Sequence, residues 1–180
     1  MQLRAKTTPA GEMLALAERL AARAREAGAL FVVNDRLDVA VLSGADALHV
    51  GQHDLTPEAV RRASAELPSP ADLMIGYSTH NEAQLRAGLE APVSYLAIGP
   101  VFATTTKAEP DPVIGLEGVG RAAEHTRAAR VPLVAIGGID ESNAQSVIDA
   151  GADVVAIAGD LTTSDGAARA RALIQLLQSP

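Results

Sequence analysis

A parallel (β/α) barrel of the TIM type, formed as a single domain over residues 1–180, is the fold this sequence predicts. Three observations lead there. Short apolar runs of β-forming residues alternate strictly with segments of helical spacing, the pattern of a parallel sheet covered by helices. Unusual polar residues follow nearly every run rather than one of them. No G-x-G-x-x-G or P-loop motif singles out one ligand-binding turn. An open doubly wound sheet gathers its binding groups near one switch point, whereas in a barrel the strand ends converge on one face. The even spread favours the barrel.

The first run, Gln2–Lys6, is polar, and strand alternation puts Gln2, Arg4 and Lys6 on one face. Helical spacing over Gly11–Ala27 leads to the run Leu30–Val33, and Arg36–Ser43 leads to Ala47–Val50. Thr56–Leu67 opens with Thr56-Pro57-Glu58, a good helix start with an N-cap Thr and Pro at the first helical position. Leu73–Tyr77, the helical Asn81–Glu90 and the run Tyr95–Phe102 follow, then the helical Leu116–Ala129 and the run Leu133–Ile136. Ser142–Ala150, Val154–Ala158 and Ala167–Leu177 close a tally of seven βα units, with no linker or low-complexity stretch. Gly44-Ala45-Asp46 and Gly151-Ala152-Asp153 recur as the same punctuation, a helix-ending glycine before the next strand.

Composition removes several classes of function. A formal net charge of −7 argues against nucleic acid or an anionic membrane surface as partner. Two Tyr, two Phe and no Trp leave no aromatic platform for stacking bases. With zero cysteines there are no disulfides, thiolate nucleophiles or cysteine metal sites, which fits a reducing compartment. No apolar stretch approaches the roughly 20 residues that span a bilayer, and the first residues lack a signal peptide's basic and apolar regions. A cytoplasmic protein is expected.

Against that acidic background the only two lysines, Lys6 and Lys107, each close a short polar stretch that follows a strand-like run. Ammonium groups kept for strand ends suit an anion, and phosphate or pyrophosphate is the natural candidate. Thr104-Thr105-Thr106-Lys107 adds hydroxyls suited to phosphate oxygens, although the stretch also reads as an ordinary polar loop. Gly137-Gly138 allows close backbone approach to a ligand, or simply a tight βα turn, and Gly159 carries the same ambiguity. Asp35 and Asp54 each follow a strand. Alone, each reads as a helix cap; beside two lysines and a threonine cluster, Mg²⁺ binding is the better reading, because that ion takes one or two carboxylates and completes its shell with water and phosphate. Of the four histidines, His49 lies inside a strand and His125 on a solvent-facing helix, while His53 and His80 follow strands without metal-ligand spacing.

These residues fall in seven motifs: Q-L-R-A-K at 2–6, V-N-D-R at 33–36, H-V-G-Q-H-D at 49–54, G-Y-S-T-H at 76–80, G-P-V-F-A-T-T-T-K at 99–107, G-L-E-G at 115–118 and A-I-G-G-I at 135–139. In that order the pattern resembles the thiamine-phosphate synthase family, within the superfamily shared with the thiazole tautomerases. The resemblance implies a (β/α)₈ barrel. It implies a Mg²⁺-dependent transferase that joins hydroxymethylpyrimidine pyrophosphate to a thiazole phosphate, giving thiamine phosphate and pyrophosphate. It implies that Gln2, Arg4, Lys6 and Asn34 hold the pyrimidine pyrophosphate, that Asp35 and Asp54 bind Mg²⁺, and that Ser78 and Lys107 grip the pyrophosphate. Lys107, Lys6, Arg4 and Ser78 would then stabilise the leaving group, while Thr104, Thr106, Gly137, Gly138, Ala158 and Gly159 receive the thiazole phosphate.

Three departures accompany the resemblance. Ala5 stands where the family usually has Glu, turned away from the Gln2/Arg4/Lys6 face, and Gly159 replaces a serine that helps bind the thiazole phosphate. Family members also begin one strand and helix earlier, so the first βα unit of eight is expected to be missing. The strands at Gln2–Lys6 and Val154–Ala158 would then lose a shared neighbour. A homo-oligomer, with a dimer the simplest case, or direct pairing of the two strands is expected to cover the edge. Two other functions stay open: a thiazole tautomerase-like enzyme, although Pro100 stands where those relatives place a catalytic His, and a non-catalytic phosphate-ligand binding protein on an incomplete barrel.

Overall fold

The chain divides into two units, Met1–Ser78 with Ala91–Ser94 and Thr79–Glu90 with Tyr95–Pro180, and within each the strands pair in parallel in chain order. The computed structural model describes residues 1–66, 73–104, 111–162 and 164–178. In the first unit the order is β1 (Gln2–Leu3), α1 (Ala10–Glu26), β2 (Val32–Asn34), α2 (Leu37–Ser43), β3 (Ala47–Val50), α3 (Pro57–Ala65) and β4 (Met74–Thr79), whose last residue belongs to the second unit. The second unit holds α4 (Glu82–Leu89), β5 (Tyr95–Ile98), α5 (Gly115–Ala129), β6 (Leu133–Ile136), α6 (Ala144–Asp149), β7 (Val154–Ala156) and α7 (Gly166–Gln178). A 3₁₀ turn at Gly159–Thr162 precedes α7. Among the described residues no helix is long and apolar enough to cross a membrane.

Local chemistry explains the boundaries. Thr56 caps α3 by accepting from the Ala59 N–H at 3.3 Å, and Asn81 caps α4 by accepting from Gln84 N–H at 2.9 Å. The two Gly-Ala-Asp repeats do the same work twice. Gly44 (φ 67°) ends α2 and Gly151 (φ 110°) follows α6, both in conformations that favour glycine. Asp46 Oδ2 then accepts from Phe31 N–H at 2.7 Å, and Asp153 Oδ2 from Leu133 N–H at 2.8 Å, tying each new strand to the start of the one before.

Four expected strands are shorter than the runs that predict them, β2 by starting at Val32 rather than Leu30 and ending at Asn34. β1 stops at Leu3, paired with Val33; just past β2, Asp35 turns into the left-handed region (φ 65°) while its N–H continues the ladder to β3 by donating to His49 O. β5 stops at Ile98, since Pro100 has no N–H to extend a ladder; Val101 and Phe102 instead donate to the carbonyls of Ile136 and Gly137. β7 ends at Ala156 rather than Ala158.

The pleat of the first unit decides where its polar residues lie. Leu3, Ala5, Val33, Leu48, Val50, Ile75 and Tyr77 pack with Met13, Ala17, Ala21 and Ala24 of α1, Val39 of α2 and Val60 of α3 in one core. Each fully buried aliphatic side chain of this kind contributes about 1.5–3 kcal/mol, so the register is strongly held. Because side chains alternate, the opposite face carries Gln2, Arg4, Lys6, Asn34, His49, Gly76 and Ser78. A second core in the other unit gathers Val101, Val119, Ala135, Ile139, Val147 and Leu173.

Candidate active site

Lys6, Asp35 and Asp54 meet on that opposite face. Lys6 Nζ lies 3.1 Å from Asp35 Oδ2, and Asp54 is within hydrogen-bonding reach of Asp35. Burial raises the Asp35 carboxyl above its ordinary value; the Lys6 ammonium pulls it down and the Asp54 carboxylate pushes it up. Neither aspartate caps a helix. Arg36 holds the N-cap position of α2 and Thr56 that of α3. Asp35 is one of two described residues other than glycine with positive φ, and that backbone turns its carboxylate toward Lys6. Asp54 Oδ2 accepts from Gly51 N–H at 2.8 Å, and a Cβ at Gly51 would sit 3.0 Å from the same oxygen, so a side chain there would push the carboxylate slightly.

Two adjacent carboxylates neutralised by one exposed ammonium leave excess negative charge, which is the environment a divalent cation relieves. The donor set is all oxygen and fits Mg²⁺. Among the described residues no group of three or more His, Cys, Asp or Glu side chains could hold a metal, so an ion here would depend on water and substrate oxygens for the rest of its shell.

Gln2 and Arg4 are exposed on the same face, and buried Asn34 pairs in register with His49. His49 Nε2 lies 2.7 Å from Ser78 Oγ, and Gln52 Nε2 donates to the Ser78 carbonyl at 2.6 Å. Both His49 and Gln52 lie in the H-V-G-Q-H-D motif, but the sequence assigns neither a role. Pleat parity carried one strand further would have found His49, since it alternates with the core residues Leu48 and Val50. Burial pushes the His49 imidazole down from 6.5 to about 4, with Asp54 opposing weakly. The unfolded chain therefore takes up this proton below pH 6.5 and the folded chain only near pH 4, so stability falls on acidification through that window. The loss amounts to about 3 kcal/mol. His49→Gln is expected to flatten this part of the pH–stability curve, measured by urea unfolding from pH 7 to pH 4; parallel curves for parent and variant would refute it.

In the second unit, Gly137 (φ 101°) and Gly138 (φ 65°) pack against the turn that follows β5. A Cβ at Gly137 would lie 2.6 Å from Pro100 Cα, and one at Gly138 would lie 2.6 Å from Ala103 O. The tight-turn reading is thus sufficient to require both glycines. The same packing sets this turn against Phe102 and Ala103, the residues before Thr104, while Asn143 Nδ2 donates to the Gly138 carbonyl at 3.0 Å. Ala158 and Gly159 are exposed at the 3₁₀ turn, where Leu161 N–H donates to Ala158 O at 3.1 Å. Thr106 and Lys107 lie outside the described residues. His80 donates from Nδ1 to Gly99 O at 2.7 Å, beside Asp111 at 3.5 Å, and lines a cleft of about 360 Å³ with Leu85, Ile98 and Arg121. His125 belongs to a surface cluster with Glu82 and Arg86.

This arrangement matches known proteins along nearly its whole length. The family described as thiamine monophosphate synthase matches residues 1–161. A thiamine-phosphate synthase of Koribacter versatilis is 44% identical over 179 residues, covering 99% of this chain and 80% of that protein. One from Thermus thermophilus is 45% identical over 178 residues, covering 98% and 82%. The solved thiamine phosphate pyrophosphorylase of Pyrococcus furiosus superposes with a TM-score of 0.86 at 31% identity, covering 98% of this chain and 81% of that one. The expected TIM-like α/β fold is the fold this chain has. From the family match and these relatives together, the chain belongs to the thiamine monophosphate synthase family.

Proposed function

We propose that the chain is a thiamine-phosphate synthase, joining hydroxymethylpyrimidine pyrophosphate to thiazole phosphate with release of pyrophosphate in a Mg²⁺-dependent reaction. The observation that carries this reading is the meeting of Lys6, Asp35 and Asp54 on one strand face with Gln2, Arg4, Asn34 and Ser78, in a chain 44% identical to a thiamine-phosphate synthase. The carbon–oxygen bond to pyrophosphate breaks with its electron pair leaving on the pyrophosphate. The thiazole nitrogen lone pair then forms the new carbon–nitrogen bond, so no protein nucleophile is needed. Arg4, Lys6, Ser78 and Lys107 stabilise the developing anion, and alignment of the acceptor supplies the rest. Mg²⁺ held by Asp35 and Asp54 would add charge neutralisation at the pyrophosphate.

Thr104, Thr106, Gly137, Gly138, Ala158 and Gly159 form the proposed thiazole-phosphate side. A Cβ on Gly159 meets nothing within 4 Å. Gly159→Ser is therefore expected to leave the melting temperature unchanged and to lower the KM for thiazole phosphate roughly tenfold or more, one hydrogen bond to a charged group. An unchanged KM would remove Gly159 from that subsite.

A cytoplasmic location is supported by the absence of cysteine. A homo-oligomer, as a dimer, is part of this reading; light scattering checks it, a dimer mass supporting it and a monomer mass overturning it. The function itself is tested by pyrophosphate release with each substrate omitted in turn and with EDTA. Release that requires both substrates and Mg²⁺ supports the synthase. Binding of each substrate without release would overturn it in favour of a binding protein.

A further inference from the structure

Ser78 is held from two directions by residues with no assigned role. His49 is 7% exposed on β3, on the face that carries Asn34 and Ser78. Its Nε2 reaches Ser78 Oγ at 2.7 Å, while Gln52 Nε2 holds the Ser78 carbonyl at 2.6 Å. A serine hydroxyl otherwise samples three staggered positions and rotates its proton freely. Burial keeps the imidazole neutral, so one ring nitrogen donates and the other accepts.

The direction of the His49–Ser78 bond decides what Ser78 can do. If Ser78 donates to His49, its oxygen presents only lone pairs outward, and these repel a phosphate oxygen. If His49 donates from Nε2–H, the Ser78 proton is left for the anion, and the chain of two hydrogen bonds polarises that proton further.

We propose that His49 is a positioning residue, donating from Nε2–H to Ser78 Oγ so that the Ser78 hydroxyl donates to the departing pyrophosphate, with Gln52 fixing the backbone of the same serine. The inference rests on the reading of Ser78 as a pyrophosphate ligand.

The test is a double-mutant cycle on the full chain with both substrates and Mg²⁺, using His49→Phe, Ser78→Ala and the pair. Each single change is expected to lower kcat/KM for the pyrimidine pyrophosphate roughly tenfold or more, the loss of one hydrogen bond to a charged group. The pair is expected to be no worse than Ser78→Ala alone. His49→Gln, which returns an N–H donor near the Nε2 position, should recover most of the loss, and the KM for thiazole phosphate should not move. Multiplying losses in the pair would make His49 merely structural and overturn the positioning role while leaving Ser78 as a ligand. Full activity of Ser78→Ala would overturn both. Should His49→Phe not fold, ¹⁵N imidazole spectra of the parent, assigned against His49→Gln, decide the matter: protonated Nε2 is expected, and protonation at Nδ1 alone would overturn it.

Discussion

Lys107→Ala is expected to lower turnover by roughly 10²–10³, the usual cost of removing one preorganised stabiliser of a developing anion. The reason lies in how few ammonium groups this chain has. Lys6 and Lys107 are its only lysines, and Lys6 already lies 3.1 Å from Asp35. In the proposed mechanism the second ammonium, together with Arg4, answers the charge that builds on pyrophosphate as the carbon–oxygen bond breaks. The effect belongs in kcat more than in KM, because that charge is largest in the transition state. Lys107 follows a polar threonine run in sequence, so the melting temperature is expected to change little. Lys107→Arg should recover only part of the rate, since a planar fork replaces a compact point charge. Near-normal turnover by a folded Lys107→Ala protein would remove the pyrophosphate role.

Asp35→Asn is expected to abolish most Mg²⁺-dependent turnover while leaving the metal-free protein as stable as its parent or more so. Burial and the Asp54 carboxylate both raise the Asp35 carboxyl above its ordinary value. Such a group favours the folded state when protonated. Its contribution is fully present below the unfolded value and is lost as pH rises through the higher folded value. At neutral pH the parent has lost that contribution, and asparagine does not carry the penalty. The melting-temperature difference between variant and parent should therefore favour the variant most at pH 7 and shrink toward acid. Adding Mg²⁺ with pyrophosphate should raise the parent's melting temperature and not the variant's. Asp54→Asn should behave alike in activity, but it also weakens the bond from Gly51 N–H. Activity that survives EDTA unchanged would show the metal assignment to be wrong.

Much of the fold was legible because periodicity is a local signal. The runs at Ala47–Val50 and Leu133–Ile136 are β3 and β6 residue for residue, and the cap at Thr56 is where its helix begins. What was illegible depended on single backbone turns. The left-handed turn at Asp35 and the end of β5 before Pro100 leave no trace in hydrophobic pattern. At the site, Lys6, Asp35 and Asp54 could be picked out by charge and placement after strands. His49 is legible only through pleat parity, because all four residues of β3 are buried and burial alone does not say which face a side chain takes. The Gly137-Gly138 turn had two readings in the sequence, and the structure adds a packing requirement that either reading must share.

The most direct measurement is product analysis of the purified chain given both substrates and Mg²⁺, with thiamine phosphate followed by mass spectrometry and pyrophosphate by a coupled assay. Equimolar formation of the two, lost on removal of either substrate or of the metal, is the predicted result. Pyrophosphate released without thiamine phosphate, or no turnover by a folded protein that binds both substrates, would contradict the account.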